Sequence, residues 1–76
     1  MRVHLGGHLN WYEPQKQSRL EIHLAAPIAL RELVDQLGLP PAEIYLVSIN
    51  GEVASIDDAL IYDSDRVDFF PPVGGG

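Results

Sequence analysis

Apolar and polar residues alternate along this chain with a period of two, then of three to four, then of two again, and the changes of period mark its elements. Met1, Val3 and Leu5 alternate with Arg2 and His4, which predicts a first strand with one face on a core. Gly6-Gly7 ends it as a turn or bulge; the spacing is neither G-x-G-x-x-G nor Walker-like, so a phosphate cradle is not expected there. Residues 8–17 are polar and broken by Pro14, a long hairpin loop whose Trp11 and Tyr12 are expected to fold back over the core edge. Residues 19–24 read as a second strand, with Leu20, Ile22 and Leu24 inward and Arg19, Glu21 and His23 outward, antiparallel to the first.

The period then lengthens. Leu30, Leu33, Val34 and Leu37 fall at i, i+3, i+4 and i+7, the stripe of an amphipathic helix, with Arg31, Glu32, Asp35 and Gln36 outside it. Pro27 is expected to open the first turn, Gly38 to cap the end, and Pro40-Pro41 to forbid continuation. Beyond a short turn at 41–43, residues 45–49 and 52–54 form a hairpin about Asn50-Gly51, the dipeptide of a type I′ turn. Residues 55–59 connect, Leu60-Ile61-Tyr62 precede a turn at 63–65, and residues 66–70 are the last strand. In that strand Val67 and Phe69 face the core, while Asp68 and Phe70 face outward. One helix between two hairpin-like halves fits a small α+β sheet covered on one face, with the first and last strands central and parallel.

Composition narrows the function more than the fold. Seventy-six residues allow one small domain and no large catalytic cleft. Without cysteine there is no disulfide, thiolate metal site or cysteine nucleophile. A net charge of −6 with only five Lys and Arg argues against nucleic acid and anionic membranes and for basic protein partners. The opening residues have no signal-peptide or membrane-spanning pattern, so a cytoplasmic location is expected. No catalytic triad, H-E-x-x-H or EF-hand pattern is present. His4 and His23 share an outer face but lack a third ligand, and Asp57-Asp58 and Asp63-Ser64-Asp65 read as solvated turns, so no metal site is expected.

The remaining chemistry lies in the last residues. After Phe69-Phe70, the proline pair Pro71-Pro72 ends any ladder, and Val73-Gly74-Gly75-Gly76 follows. Residues 1–70 then form the domain and residues 71–76 a flexible tail, long enough at about 3.3 Å per residue to hold its carboxylate roughly 20 Å from the sheet. Phe70, Pro71, Pro72 and Val73 make an apolar run that suits partner docking. Glycines without Cβ atoms suit a narrow channel. A free carboxylate is a poor electrophile and must be activated before it accepts anything.

Phe69-Phe70-Pro71-Pro72-Val73 followed by glycines resembles the C-terminus of the MoaD/ThiS family of ubiquitin-like sulfur carriers, and most of all the molybdopterin synthase small subunit. The resemblance implies a β-grasp, or ubiquitin-like, fold: a mixed sheet of four to five strands with one helix packed on one face. It departs at Ala29, where a Ser or Thr helix cap is usual, and at Ser64, where Gly is usual. It implies a sulfur carrier rather than an enzyme. An E1-like adenylating enzyme would use ATP to activate the carboxylate of Gly76, a persulfide sulfur donor would convert it to a thiocarboxylate, and the molybdopterin synthase large subunit would accept the sulfur. No cofactor would be bound by the chain itself, and Gly74 and Gly75 would thread the tail. A ubiquitin-like modifier joined through Gly76, a carrier for thiamine or tRNA thiolation, and an interaction module with an inert tail are the alternatives.

Overall fold

The computed structural model describes residues 1–72. In chain order the elements are β1 (Arg2–Leu5), β2 (Arg19–Glu21), β3 (Ile28–Ala29), α1 (Leu30–Leu37), β4 (Leu46–Ile49), β5 (Glu52–Ala54), β6 (Leu60–Ile61) and β7 (Arg66–Phe70), with single 3₁₀ turns at Leu9–Tyr12 and Pro41–Glu43. Five strands form one sheet in the order β2-β1-β7-β4-β5, and β3 pairs with β6 separately. At the centre β1 and β7 run parallel, with Val3 opposite Val67 and Leu5 opposite Phe69. The outer pairs, β1 with β2, β4 with β7 and β4 with β5, are antiparallel. This is the mixed sheet with one helix expected from the sequence, and its first and last strands are the central pair.

Side-chain alternation explains where the core lies. Val3, Leu5, Val47, Val67 and Phe69 project from one face of the sheet onto Leu30, Leu33, Val34 and Leu37 of α1, and all are buried. Leu9, inside the first 3₁₀ turn, closes one end of this layer and is fully buried. The strands of this sheet contribute alternate residues, so among the described residues its opposite face has no covering layer.

The helix begins without a side-chain cap, as Ala29 requires. Its first amide is nevertheless satisfied, because Leu30 N–H donates to the Ala59 carbonyl at 3.0 Å. Pro27 does not open the helix as the sequence suggests; Ile28 and Ala29 instead pair with Ile61 and Leu60, and this short ladder delays the first turn to Leu30. At the other end Gly38 takes a left-handed conformation, its amide reaches Asp35, and Leu39 N–H returns to the Val34 carbonyl, the wrapped ending anticipated from the glycine. Asn50 and Gly51 both have positive φ, as the type I′ hairpin demands.

Two other segments differ from the sequence reading. β2 stops its ladder at Glu21 rather than 24, and Leu20, Ile22 and Leu24 are only half-buried, because β2 is an edge strand with no neighbour beyond it. Residues 8–17 contain a 3₁₀ turn, which eclipses positions three apart. Leu9 is committed to the core, while Trp11 is turned outward, 66% exposed, with Lys16 Nζ 5.9 Å from its ring, and Tyr12 is 38% exposed. Neither ring therefore folds back to be buried over the core edge. The loop is held instead by buried Glu13, whose Oε2 accepts from the amides of Gln15 at 2.9 Å and Gln17 at 2.7 Å.

Candidate functional site

The parallel centre of the sheet places the end of β7 at the same edge as the end of β1, and residues from both sides hold it. Gly6 N–H donates to the Phe69 carbonyl at 2.9 Å, and Tyr45 N–H donates to the Phe70 carbonyl at 2.8 Å. Past Phe70 neither Pro71 nor Pro72 has an N–H, so the ladder ends between these two flanks. Pro71 is half-buried and Pro72 is exposed. Nearby, His8 Nε2 lies 3.5 Å from Glu43 Oε2, an ion pair when the imidazole is protonated, linking the loop after β1 to the turn before β4.

Phe70 stands on the open face of the sheet, opposite Leu46, with 37% of its surface exposed; Phe69 beside it is fully buried. That open face is divided. Toward β5 it is apolar, with Val53 71% exposed; Tyr45, just before β4, is 70% exposed at the same end of the sheet as Phe70. An open depression of about 230 Å³ lies along β4 and β5, lined by Ile44, Tyr45, Leu46, Val47, Val53, Ala54 and Ile56. Toward β2 the face is charged. Asp68 Oδ1 lies 3.7 Å from His4 Nδ1, and Asp68 Oδ2 lies 3.4 Å from Arg66 Nε and 3.5 Å from Ser48 Oγ. A partner meeting the end of β7 therefore finds an apolar surface on one side and a mixed-charge surface on the other.

Of the residues singled out in the sequence, Phe70, Pro71 and Pro72 come together at this edge. Val73, Gly74, Gly75 and Gly76 lie outside the described residues. The sequence reading missed Gly6, Gly7, His8, Glu43 and Tyr45, the residues that flank the end of β7. The register carried a signal for the glycines: if the first and last strands are parallel neighbours, Gly6-Gly7 must lie beside Phe70-Pro71.

His4 and His23 are not brought together. The antiparallel register pairs His4 with Arg19, which puts His23 four positions further along, about 13 Å at 3.3 Å per residue. Each histidine has its own carboxylate, Asp68 for His4 and Asp63 for His23 at 3.3 Å. Among the described residues no group of three or more His, Asp or Glu is placed to hold a metal ion. Asp57 pairs with Arg31. Asp63 lies at the end of the sheet away from Phe70, where its Oδ1 accepts the Leu24 amide at 2.7 Å, with the Met1 ammonium at 3.6 Å. The Leu24 hydrogen bond, with smaller contributions from that ammonium and His23, holds the Asp63 carboxyl below its ordinary value of 3.8. No helix among the described residues is long and apolar enough to cross a membrane.

Comparison with known proteins places these features. The model of the ThiS family matches residues 9–76. Among solved structures, the chain is similar to a thiamine biosynthesis protein from Geobacter metallireducens, determined in solution by NMR. The two are 28% identical with a TM-score of 0.56, over 100% of this chain and 88% of that one. No curated protein matches the chain.

Proposed function

The chain belongs to the ThiS family, the ubiquitin-like sulfur carriers of β-grasp fold, and from that premise we propose that it carries sulfur as a thiocarboxylate on Gly76 for thiamine biosynthesis. One observation carries the reading: the family match runs through the final glycines, and β7, the central strand that leads into them, ends in a Pro-Pro stop at an edge with an exposed apolar flank. The thiamine assignment is supported by the relative from Geobacter metallireducens.

The chemistry needs little from the carrier's own side chains. In an E1-like adenylating partner, a carboxylate oxygen of Gly76 attacks the α-phosphorus of ATP and pyrophosphate leaves. The terminal sulfur of a persulfide donor then attacks the acyl carbon and displaces AMP, and a thiol cleaves the remaining S–S bond to leave the thiocarboxylate. Gly74 and Gly75 thread the tail, while Phe70, Pro71, Pro72 and Val73 dock it. The carrier binds no cofactor; ATP belongs to the partner, and the cytoplasm is where such a cycle would run.

A second destination has its own support. Phe69-Phe70-Pro71-Pro72-Val73 is the run that resembles the molybdopterin synthase small subunit, and it favours transfer to that synthase's large subunit. Intact-mass spectrometry after incubation with ATP, a sulfur donor and extract of the source organism tests the shared step. The expected result is a gain of about 16 Da, one oxygen exchanged for sulfur, that disappears when Gly76 is deleted. An unchanged mass, under conditions that load a known carrier, would remove the reading. Complementation of bacterial strains lacking either the thiamine carrier or the molybdopterin synthase small subunit separates the destinations, and lysine adducts in extracts would instead mark a protein modifier.

A further inference from the structure

Gly6 and Gly7 lie where β1 has ended and β7 is still running. Extending the parallel register past Leu5 opposite Phe69 sets Gly7 beside Pro71. A Cβ on Gly6 would stand 2.9 Å from the Phe69 carbonyl oxygen, the atom that the Gly6 amide already holds. Gly7 has φ of +54°, and a Cβ there would come within 2.5 Å of Pro71 Cγ. Two independent conditions thus require glycine at position 7: a left-handed backbone, and a pyrrolidine ring occupying the space of a side chain. Where Pro71 cannot donate to the ladder, contact between its ring and the bare backbone of Gly7 takes over. The fixed φ of Pro72 continues whatever direction is set at Pro71.

We propose that the Gly6-Gly7 turn is a seat for Pro71, and that Gly7 is a positioning residue setting the direction in which the tail enters the adenylating partner. The proposal rests on the sulfur-carrier reading. Gly7 touches neither ATP nor the carboxylate; it acts through Pro71. A methyl at position 7 must push the ring by about 1 Å to restore an ordinary contact, and misplacement of that size costs catalysis up to about a hundredfold when it reaches the reacting atoms.

The test follows pyrophosphate release by the E1-like adenylating enzyme with the full-length chain as substrate. Gly7→Ala is expected to lower kcat on the order of tenfold, a larger effect than any rise in KM, because only the Pro71 ring of the docking run is displaced. Gly51→Ala is the control for backbone strain. Its φ is +86°, but the nearest heavy atom to a Cβ there is an Arg66 guanidinium nitrogen at 4.0 Å, at the opposite end of β7 from Pro71. It should lower the melting temperature and leave kcat alone. Adding Pro71→Ala to Gly7→Ala should cost nothing further, since the displaced ring is gone and the two effects cannot add. In the free protein, an NMR cross-peak between the Gly7 α-protons and the Pro71 ring is expected, and its absence would overturn the seat. If Gly7→Ala does not fold, Pro71→Ala alone decides: a severalfold loss of kcat at saturating carrier supports the seat, and a change confined to KM, as loss of a docking contact alone would give, overturns it. Failure of the wild-type chain to load would remove the functional reading and the role of the seat together. Wild-type loading with unchanged kcat for folded Gly7→Ala would remove the seat alone.

Discussion

Phe69 and Phe70 are adjacent and chemically identical, yet they face opposite sides of β7, so the same substitution should have different consequences at each. Phe69 is fully buried at the centre of the sheet, between Leu5 on β1 and Val47 on β4. Truncation to alanine there leaves a cavity lined on several sides and costs about 3–5 kcal/mol. A domain of this size has roughly 4–11 kcal/mol in total, so Phe69→Ala should lose from about a quarter to all of its stability. Phe70, 37% exposed on the uncovered face, loses only part of its burial and no enclosed volume, about 1–2 kcal/mol. At about 4–8 °C per kcal/mol, Phe70→Ala should melt some 4–16 °C lower and stay folded at 25 °C. Thermal and urea melts of the two variants, with titration of the folded one against the adenylating partner, provide the assay. Phe70→Ala should weaken that binding about tenfold or more if the ring is a central contact. Equal stability losses for the two would refute the facing of β7, and a Phe70→Ala variant that binds normally would remove Phe70 from the docking surface.

Other expected outcomes are more local. Asp63→Asn should flatten the acid limb of stability. The carboxyl is depressed in the folded state, so its contribution is present above the ordinary value of 3.8 and is lost as pH falls through the lower folded value; melts from pH 6 to pH 2 should show the wild-type slope shrink in the variant. Ala29→Ser supplies the missing cap at a residue whose backbone is already extended and whose side chain is exposed, and should stabilise by about 0.5–1 kcal/mol by urea melt. Glu13→Ala removes the acceptor for two amides and should cost about 2–3 kcal/mol, with hydrogen exchange accelerating first at Gln15 and Gln17.

The sequence was most informative where one periodicity dominated. Leu30, Leu33, Val34 and Leu37 had a single helical solution, and the alternation in residues 66–70 assigned Phe69 and Phe70 to opposite faces before any coordinates. It was least informative where a residue's role depends on something distant in the chain. Ile28 and Ala29 have no strand signature of their own; they pair because Leu60 and Ile61 arrive beside them. Trp11 carries a large apolar ring, but Leu9 already fills the available space and the eclipsed 3₁₀ turn directs the indole outward. Glu13 would pass for a solvated loop acid, yet it is buried as an acceptor for its own loop. At the candidate site, the apolar run at 70–72 was visible as composition. The flanks were missed for different reasons: Gly6 and Gly7 follow from the expected parallel pairing of the first and last strands, whereas Tyr45 depends on the register of β4 against β7.

The pairing of β1 with β7 also bears on how the protein is made. These strands come from opposite ends of the described chain, so their ladder closes one of the largest loops available and depends on the most non-local contacts in the fold. Nothing synthesised before residue 66 can complete the sheet, and folding of this topology is expected on the slower, millisecond-to-second side of small domains. Until that ladder zips, the segment after Phe70 has no fixed origin. A misfolded copy, or one lacking β1, would offer an activating enzyme a stretch of glycines without the surface that should precede it. If the chain carries sulfur as proposed, this topology would leave only folded copies with the surface that precedes the glycines.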